Sequence, residues 1–245
     1  MDRLSIIGIT LALVAILGGQ LWEGGELNAL VNLPAMLIVV GGTLGATMLQ
    51  MPVKVFHQAM RILPWVMVPP RLGYLETTDK LVSWSVSARR KGLLELEDAL
   101  ETERNPFVRK GLGLLIDGYE PFELRSILEL DIEMEEERLY QASKVFDAMG
   151  GYAPTLGIVG AVLGLIQVMG NLADPSQLGP GIATAFVATI YGIALANLFC
   201  LPLGAKLRAV IDEQSKFNAM VIEGLIAIGD GTNPKVLESR LASFH

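Results

Sequence analysis

Two long stretches of this chain carry no charge. From Ala148 to Ala173, and again from Pro175 to Ala205, there is no Asp, Glu, Lys, Arg or His. What chemistry they offer is neutral. Thr184 and Thr189 bring hydroxyls, and a few Asn and Gln bring amides. Pro154 and Pro202 each remove a helix N–H, and so each releases a backbone carbonyl. Ionisable groups inside a bilayer usually mark proton and ion routes. Their absence here means that a proton route along these segments takes its carboxylate from another chain. A sodium route would have only hydroxyl, amide and carbonyl oxygens to work with. A Thr in such a helix ordinarily bonds its own backbone, and two prolines at one depth can be a packing feature. Cys200 reads first as a small buried apolar residue. Only His57 and His245 are imidazoles, and they are far apart in sequence. There is no nucleotide-binding loop, no Ser/His/Asp set and no metal-ligand spacing. We therefore expect no enzyme and no cofactor.

These neutral groups need elements to position them. Each uncharged stretch exceeds the ~20 apolar residues that cross a bilayer as a helix. They pair as a hairpin over residues 148–205, with spans at about 148–172 and 181–203 and a short Pro/Gly-rich link from Asp174 to Gly181. Gly157, Gly160, Ala161 and Gly164 fall on one helical face, as two small-xxx-small pairs that let helices approach closely. A second hairpin occupies residues 1–52. Leu4 to Trp22 is uncharged, and the absence of a clear cleavage pattern makes it a retained span rather than a signal peptide. Asn32-Leu33-Pro34 reads as a cap followed by a first-turn proline, opening a span at 33–51 whose polar side chains are Thr43, Thr47 and Gln50.

Residues 53–147 differ in kind. Thirteen of the 19 basic residues and seventeen of the 26 acidic ones lie between 51 and 150. The periodicity is helical. Asp79 to Arg90 and Leu93 to Thr102 are separated by Gly92. Asn105-Pro106 opens a helix that stops at Gly118. Pro121 opens a long helix that continues into the third span. The acid run from Glu129 to Glu137 reads as a solvated face before it reads as a cation site. The tail, 206–245, is amphipathic, with a turn at Asp230 to Pro234.

The whole is an all-α membrane protein: four transmembrane helices in two pairs, a helical cytoplasmic domain between the pairs, and a cytoplasmic C-terminal tail. An apolar share of 51% exceeds that of an ordinary soluble domain, and a net charge of -7 argues against nucleic acid as a partner. Basic residues collect on the cytoplasmic side. The loops at 23–32 and 174–181 have none, so both face outward and both termini lie in the cytoplasm.

Several segments, in this order, resemble the MotA/PomA family of flagellar stator A subunits, in the branch called MotC in some bacteria. They are LIVVGGT (37–43), RRKGLLELE (89–97), GLGLLIDGYE followed by DIEMEEER, YAPTLGIVGAVLGL, GPGIATAFVATIYGIALANLFCLPLGAKL and GDGTNPKVLESRL. The likeness covers essentially the whole chain. It implies a ring of five around two copies of a MotB/PomB-type B subunit, which carries a membrane Asp and a periplasmic peptidoglycan-binding domain. It also implies contact of the cytoplasmic domain with the rotor protein FliG. By resemblance, Arg89 and Glu97 match the charged pair that meets the rotor. Pro154 and Pro202 match two prolines at the ion path and helix ends, and Thr189 a pathway hydroxyl. Sodium-type relatives carry Thr where this chain has Ala161, so the resemblance implies a proton as the moving ion, with sodium as the alternative. Asn32 stands where sodium-type relatives often have Asp. The competing readings are an ExbB/TolQ-like energiser of envelope processes, against which the hairpin at 4–51 counts, and a purely structural scaffold.

Overall fold

The computed structural model describes residues 3–170 and 175–244. Among them there is no strand. Helix α1 is Arg3–Trp22. A 3-10 turn at Leu27–Leu30 leads to α2, residues 33–50. Asn32 caps α2, its side chain accepting from the Ala35 N–H, with Pro34 in the first turn. A π-helical stretch, Leu37–Gly41, interrupts α2 without ending it. Helix α3, Val53–Ile62, follows Met51-Pro52. Then come α4, Tyr74–Lys91, and a 3-10 turn, Leu93–Leu96, that runs into α5, Glu97–Thr102. Helix α6 is Pro106–Ile116. Helix α7 is Pro121–Gly170, 50 residues and so about 75 Å long. Helix α8 covers 175–229 as one run, with a second π stretch at Leu195–Cys200. Helix α9 is Pro234–Leu241.

Two expected boundaries move. The link expected at 174–181 is helical from Pro175 onward, and Asp174 lies outside the described residues. Proline is well tolerated at a first helical position, so Pro175 opens the helix. The tail expected to begin at 206 opens inside a helix, because α8 passes straight through to Gly229; the change of compact unit falls close by, between 210 and 211. Pro202 does not break α8. A proline loses its own N–H and crowds the carbonyl four residues back, here Leu198. The π stretch that contains Leu198 is where the helix absorbs that change. Helix α4 also starts earlier than the expected Asp79. The end at Gly92 stands, since φ of +90° there favours glycine over other residues.

The chain divides into two compact units. One comprises residues 1–69 and 139–210, and holds the apolar spans. Among the described residues four helices are long and apolar enough to cross a membrane, and no residue from Leu4 to Trp22 is buried. Apolar side chains of α1 such as Leu11 and Val14 stand out from the protein. This is the surface of a chain whose solvent is lipid. A small core joins Ala35 and Val39 of α2 to Val187 and Ala188 of α8.

The other unit comprises 70–138 and 211–245. It has a conventional buried core: Leu81 and Trp84 of α4, Leu96, Leu112 of α6, Leu128 of α7, Phe217 and Leu225 of α8, and Leu237 of α9. Glycine admits the closest approach in it. A Cβ on Gly111 would lie 2.4 Å from Leu225 Cδ1.

Candidate functional site

The third and fourth spans meet backbone to backbone. From residue 151 to its end at 170, the buried positions on α7 fall at Ala153, Gly157, Gly160, Gly164 and Val168, a single helical stripe. A Cβ on Gly157 would sit 2.9 Å from the Ala188 carbonyl oxygen, and one on Gly164 would sit 2.8 Å from that of Gly181. From the other side, a Cβ on Gly192 would lie 2.5 Å from the Ala153 carbonyl oxygen. The two helices touch along about three turns, with room between them for little beyond the methyls of Ala185 and Ala188 and the Val168 side chain. The opposite face of α7, from Ile158 to Met169, is exposed and apolar.

The residues expected along an ion path fall in two places. Pro154, Ala161 and Thr189 are half-buried around the Gly157 crossing, where the Thr189 Cα is 3.4 Å from the Cβ position of Gly157. The Thr189 hydroxyl donates to the Ala185 carbonyl at 3.2 Å, and Thr184 donates to Pro180 at 2.9 Å, so both follow the ordinary habit of a membrane Thr. Pro202 is exposed and lines a groove against α1. Cys200 is buried.

Arg89 and Glu97 are both exposed, on either side of the Gly92 turn, and neither enters an ion pair among the described residues. Leu96 is buried beneath this turn and holds it to the core. The acid run on α7 is largely paired with neighbouring cations: Glu129 with Arg125, Asp131 with Lys110, and Glu135 with Arg138. Arg125 also reaches Glu223 of α8 at 2.5 Å. The Glu223 and Glu135 carboxylates raise the pKa of Arg125 and Arg138 respectively, so these cations stay charged.

Comparison with known proteins places the chain. Residues 6–90 match the family model described as motility protein A N-terminal, and residues 99–219 match that of the MotA/TolQ/ExbB proton channel family. Motility protein A of Bacillus subtilis is 34% identical over all of this chain and 91% of its own length. The chain belongs to the motility protein A family. The chemotaxis protein PomA of Vibrio alginolyticus is 31% identical over 90% of this chain and 87% of its own. The structure of C. jejuni MotAB superimposes with a TM-score of 0.95, at 31% identity, covering 100% of this chain and 96% of that one. The flagellar MotAB stator complex of B. subtilis gives 0.90 at 33% identity, covering 98% and 94%. The N-terminal match over the first hairpin separates this chain from an ExbB/TolQ-like one.

Sequence reasoning missed four features of this family member. Asn32 is more than a cap. Its Nδ2 donates to Thr184 Oγ1 at 2.9 Å, and its N–H donates to the Tyr191 hydroxyl at 3.2 Å. That hydroxyl in turn donates to the Leu30 carbonyl. The start of α2 is thus satisfied by α8, which matters where no water can do it. Asp147 pairs with Arg208, joining α7 to α8 at the edge of the apolar zone. Glu103, only 4% exposed, accepts from Lys80 at 3.3 Å and from the Asn105 N–H at 2.8 Å. The fourth is Thr43, whose buried hydroxyl has no partner among the described residues. The cap motif was the only sequence signal pointing to any of these; the others are partnerships between residues far apart in the chain.

Proposed function

We propose that this chain is the A subunit of a proton-driven flagellar stator in the bacterial inner membrane, with both termini in the cytoplasm. It works with a single-span B subunit that supplies the membrane Asp and anchors to peptidoglycan. The observation that carries this reading is the whole-length likeness to stator chains, joined to spans that contain no ionisable group of their own. A wall without a carboxylate suits a chain whose partner brings one. The tight Gly157/Gly192 crossing gives that wall a rigid two-helix unit, so a change at the partner's Asp is passed on as motion of helices.

In this reading five copies form the ring, and Arg89 and Glu97 meet FliG. Exposed charges with no partner of their own are free to pair across an interface. Protons are favoured over sodium because Ala161 adds no oxygen beside the crossing. Sodium needs several oxygen ligands at close range, whereas a proton needs only the carboxylate and water. The role is mechanical and conductive rather than enzymatic.

The test is rotation of tethered cells of a stator-deleted strain carrying this chain and its B partner. In sodium-free buffer the cells rotate, and a protonophore stops them. Rotation that begins only when sodium is added overturns the ion assignment. No rotation in either buffer, with both proteins in the membrane, overturns the stator reading.

A further inference from the structure

We infer that the groove between α5 and α6 receives the outer face of α7 from a neighbouring copy of this chain. The inference deepens the proposed function and rests on that reading in one respect, that copies of the chain stand side by side in a ring. The groove has a volume of about 500 Å³. It is lined by Leu100 of α5, by Arg104, and by Pro106, Arg109, Gly113 and Leu114 of α6. The α6 positions recur every three or four residues and so share one face, while Val108, Leu112 and Leu115 on the other face belong to the core. The floor is apolar, with Leu100 Cδ1 3.8 Å from the Cβ position of Gly113. The charge is arginine. Arg104 and Arg109 are exposed, and neither guanidinium has an ion-pair or hydrogen-bond partner among the described residues. Lys110 also lines the groove but is tied to Asp131, and Asp117 stands at the C-terminal end of α6.

The complementary surface lies on α7. Phe122, Ser126, Leu130 and Glu133 follow one another at helical spacing and all are exposed, Phe122 by 80% and Leu130 by 57%. Apolar side chains set in an exposed row beside polar ones mark an interaction surface. Glu129, Asp131 and Glu135 each hold a cation of their own chain, but Glu133 has no partner among the described residues. The two faces cannot meet within one chain. Helix α6 packs on the Asp131 side of α7, as the Lys110 pair shows. Glu133, two residues further on, points about 160° away from that side. Only a second copy can bring Glu133 to the arginines. Matching faces on different sides of one unit make a head-to-tail contact, which closes into a ring when the rotation allows. Leu130 enters against Leu100 and Leu114, and the Glu133 carboxylate accepts from a guanidinium. A small anion would satisfy the arginines but would leave Leu130 and Phe122 bare.

The experiment is cross-linking in membranes that hold the full chain with its B partner. Cys200→Ala removes the one native thiol. Arg104→Cys with Leu130→Cys then puts one thiol in the groove and one on the α7 face. A short bis-maleimide gives a ladder of dimers, trimers and larger species, because every copy presents both halves of the contact. Either cysteine alone leaves the chain monomeric on the gel. Arg109→Glu in the two-cysteine chain slows the ladder about fivefold, as for loss of an exposed ion pair, and adding Glu133→Arg restores the rate. Native mass spectrometry of the wild-type complex counts the copies independently. Several copies there, with no ladder from the cysteine pair, overturns this contact and leaves the ring standing. A single copy overturns both. A ladder whose rate ignores Arg109→Glu overturns the charge pairing, and a link from position 104 to a different protein overturns the choice of occupant.

Discussion

Arg89 and Glu97 flank a turn that is tied down from below by Leu96, so their charges are presented on a rigid support. Reversing one of them leaves the fold alone and changes what the turn attracts. Arg89→Glu should reduce swimming, with engagement slowed by about tenfold at low salt. Membrane levels should not change. Arg89→Glu with Arg90→Glu should lower it further, since Arg90 is exposed beside it. Normal motility in the double variant, measured by cell tracking, would count against a rotor-facing role. Alkaline pH probes the same unit differently. The Glu76 and Glu103 carboxylates raise the pKa of Lys80. Burial, with Glu213 adding to it, raises that of Tyr74, whose hydroxyl donates to the Glu213 carbonyl at 3.1 Å. A raised folded-state pKa means that each contribution is complete below the unfolded value and is lost as pH climbs through the folded one. For both groups that loss begins at about pH 10. Followed by Trp84 fluorescence, the melting temperature of this unit should be level from neutral pH and fall above that point. Lys80→Met and Tyr74→Phe should each flatten the fall. Tyr74→Phe keeps the edge-to-face contact with Phe217, at 5.3 Å between ring centres, so its effect isolates the hydroxyl.

At the scale of elements, the third and fourth spans are held by what glycine omits. With lipid as solvent there is little hydrophobic drive to bring helices together, so close backbone contact has to supply it. Gly192→Ala places a methyl against the Ala153 carbonyl, which cannot swing aside. The helices must separate, at a cost of about 1–3 kcal/mol as for other overpacked sites. Gly45→Ala serves as the control, because nothing lies within 4 Å of its Cβ position. Unfolding in mixed detergent should show the first variant destabilised and the second unchanged or slightly stabilised. If the two behave alike, the crossing at Gly192 is looser than the geometry implies. The two π stretches belong to this scale as well. Both lie in spans that touch through Val39 and Val187, and the buried Thr43 hydroxyl, unpartnered among the described residues, follows directly after the first of them.

For the whole molecule, the distribution of basic residues sets a direction across the membrane. With none in the loop at 23–32 and most in 51–150 and beyond 205, Asn28→Cys should label with an impermeant maleimide added outside intact cells. Ser87→Cys and Ser243→Cys should label only after the membrane is opened. Cys200 is buried and contributes little background. Labelling of Ser243→Cys from outside would invert the orientation. The two long helices, α7 and α8, each contribute residues to both compact units.

Sequence reasoning alone reached the helical class, the four spans, the caps at Asn32 and Asn105, the turn before Pro234, and the stops at Gly92 and Gly118. Each of these depends on local physics: apolar length, a side-chain oxygen beside an N–H, or a backbone angle that glycine tolerates. It also marked the glycine stripe on α7, because helical period is local too. The partner of that stripe came only with the tertiary structure, which set Gly157 against Ala188 and Gly192. So did the ties from Asn32 to Thr184 and Tyr191, and from Glu103 to Lys80. Charge begins at Lys206, but a change of solvent along a helix does not end its hydrogen bonding, so the step from span to tail falls inside α8, which continues to Gly229. Composition reports where a segment lies; only packing decides what it touches.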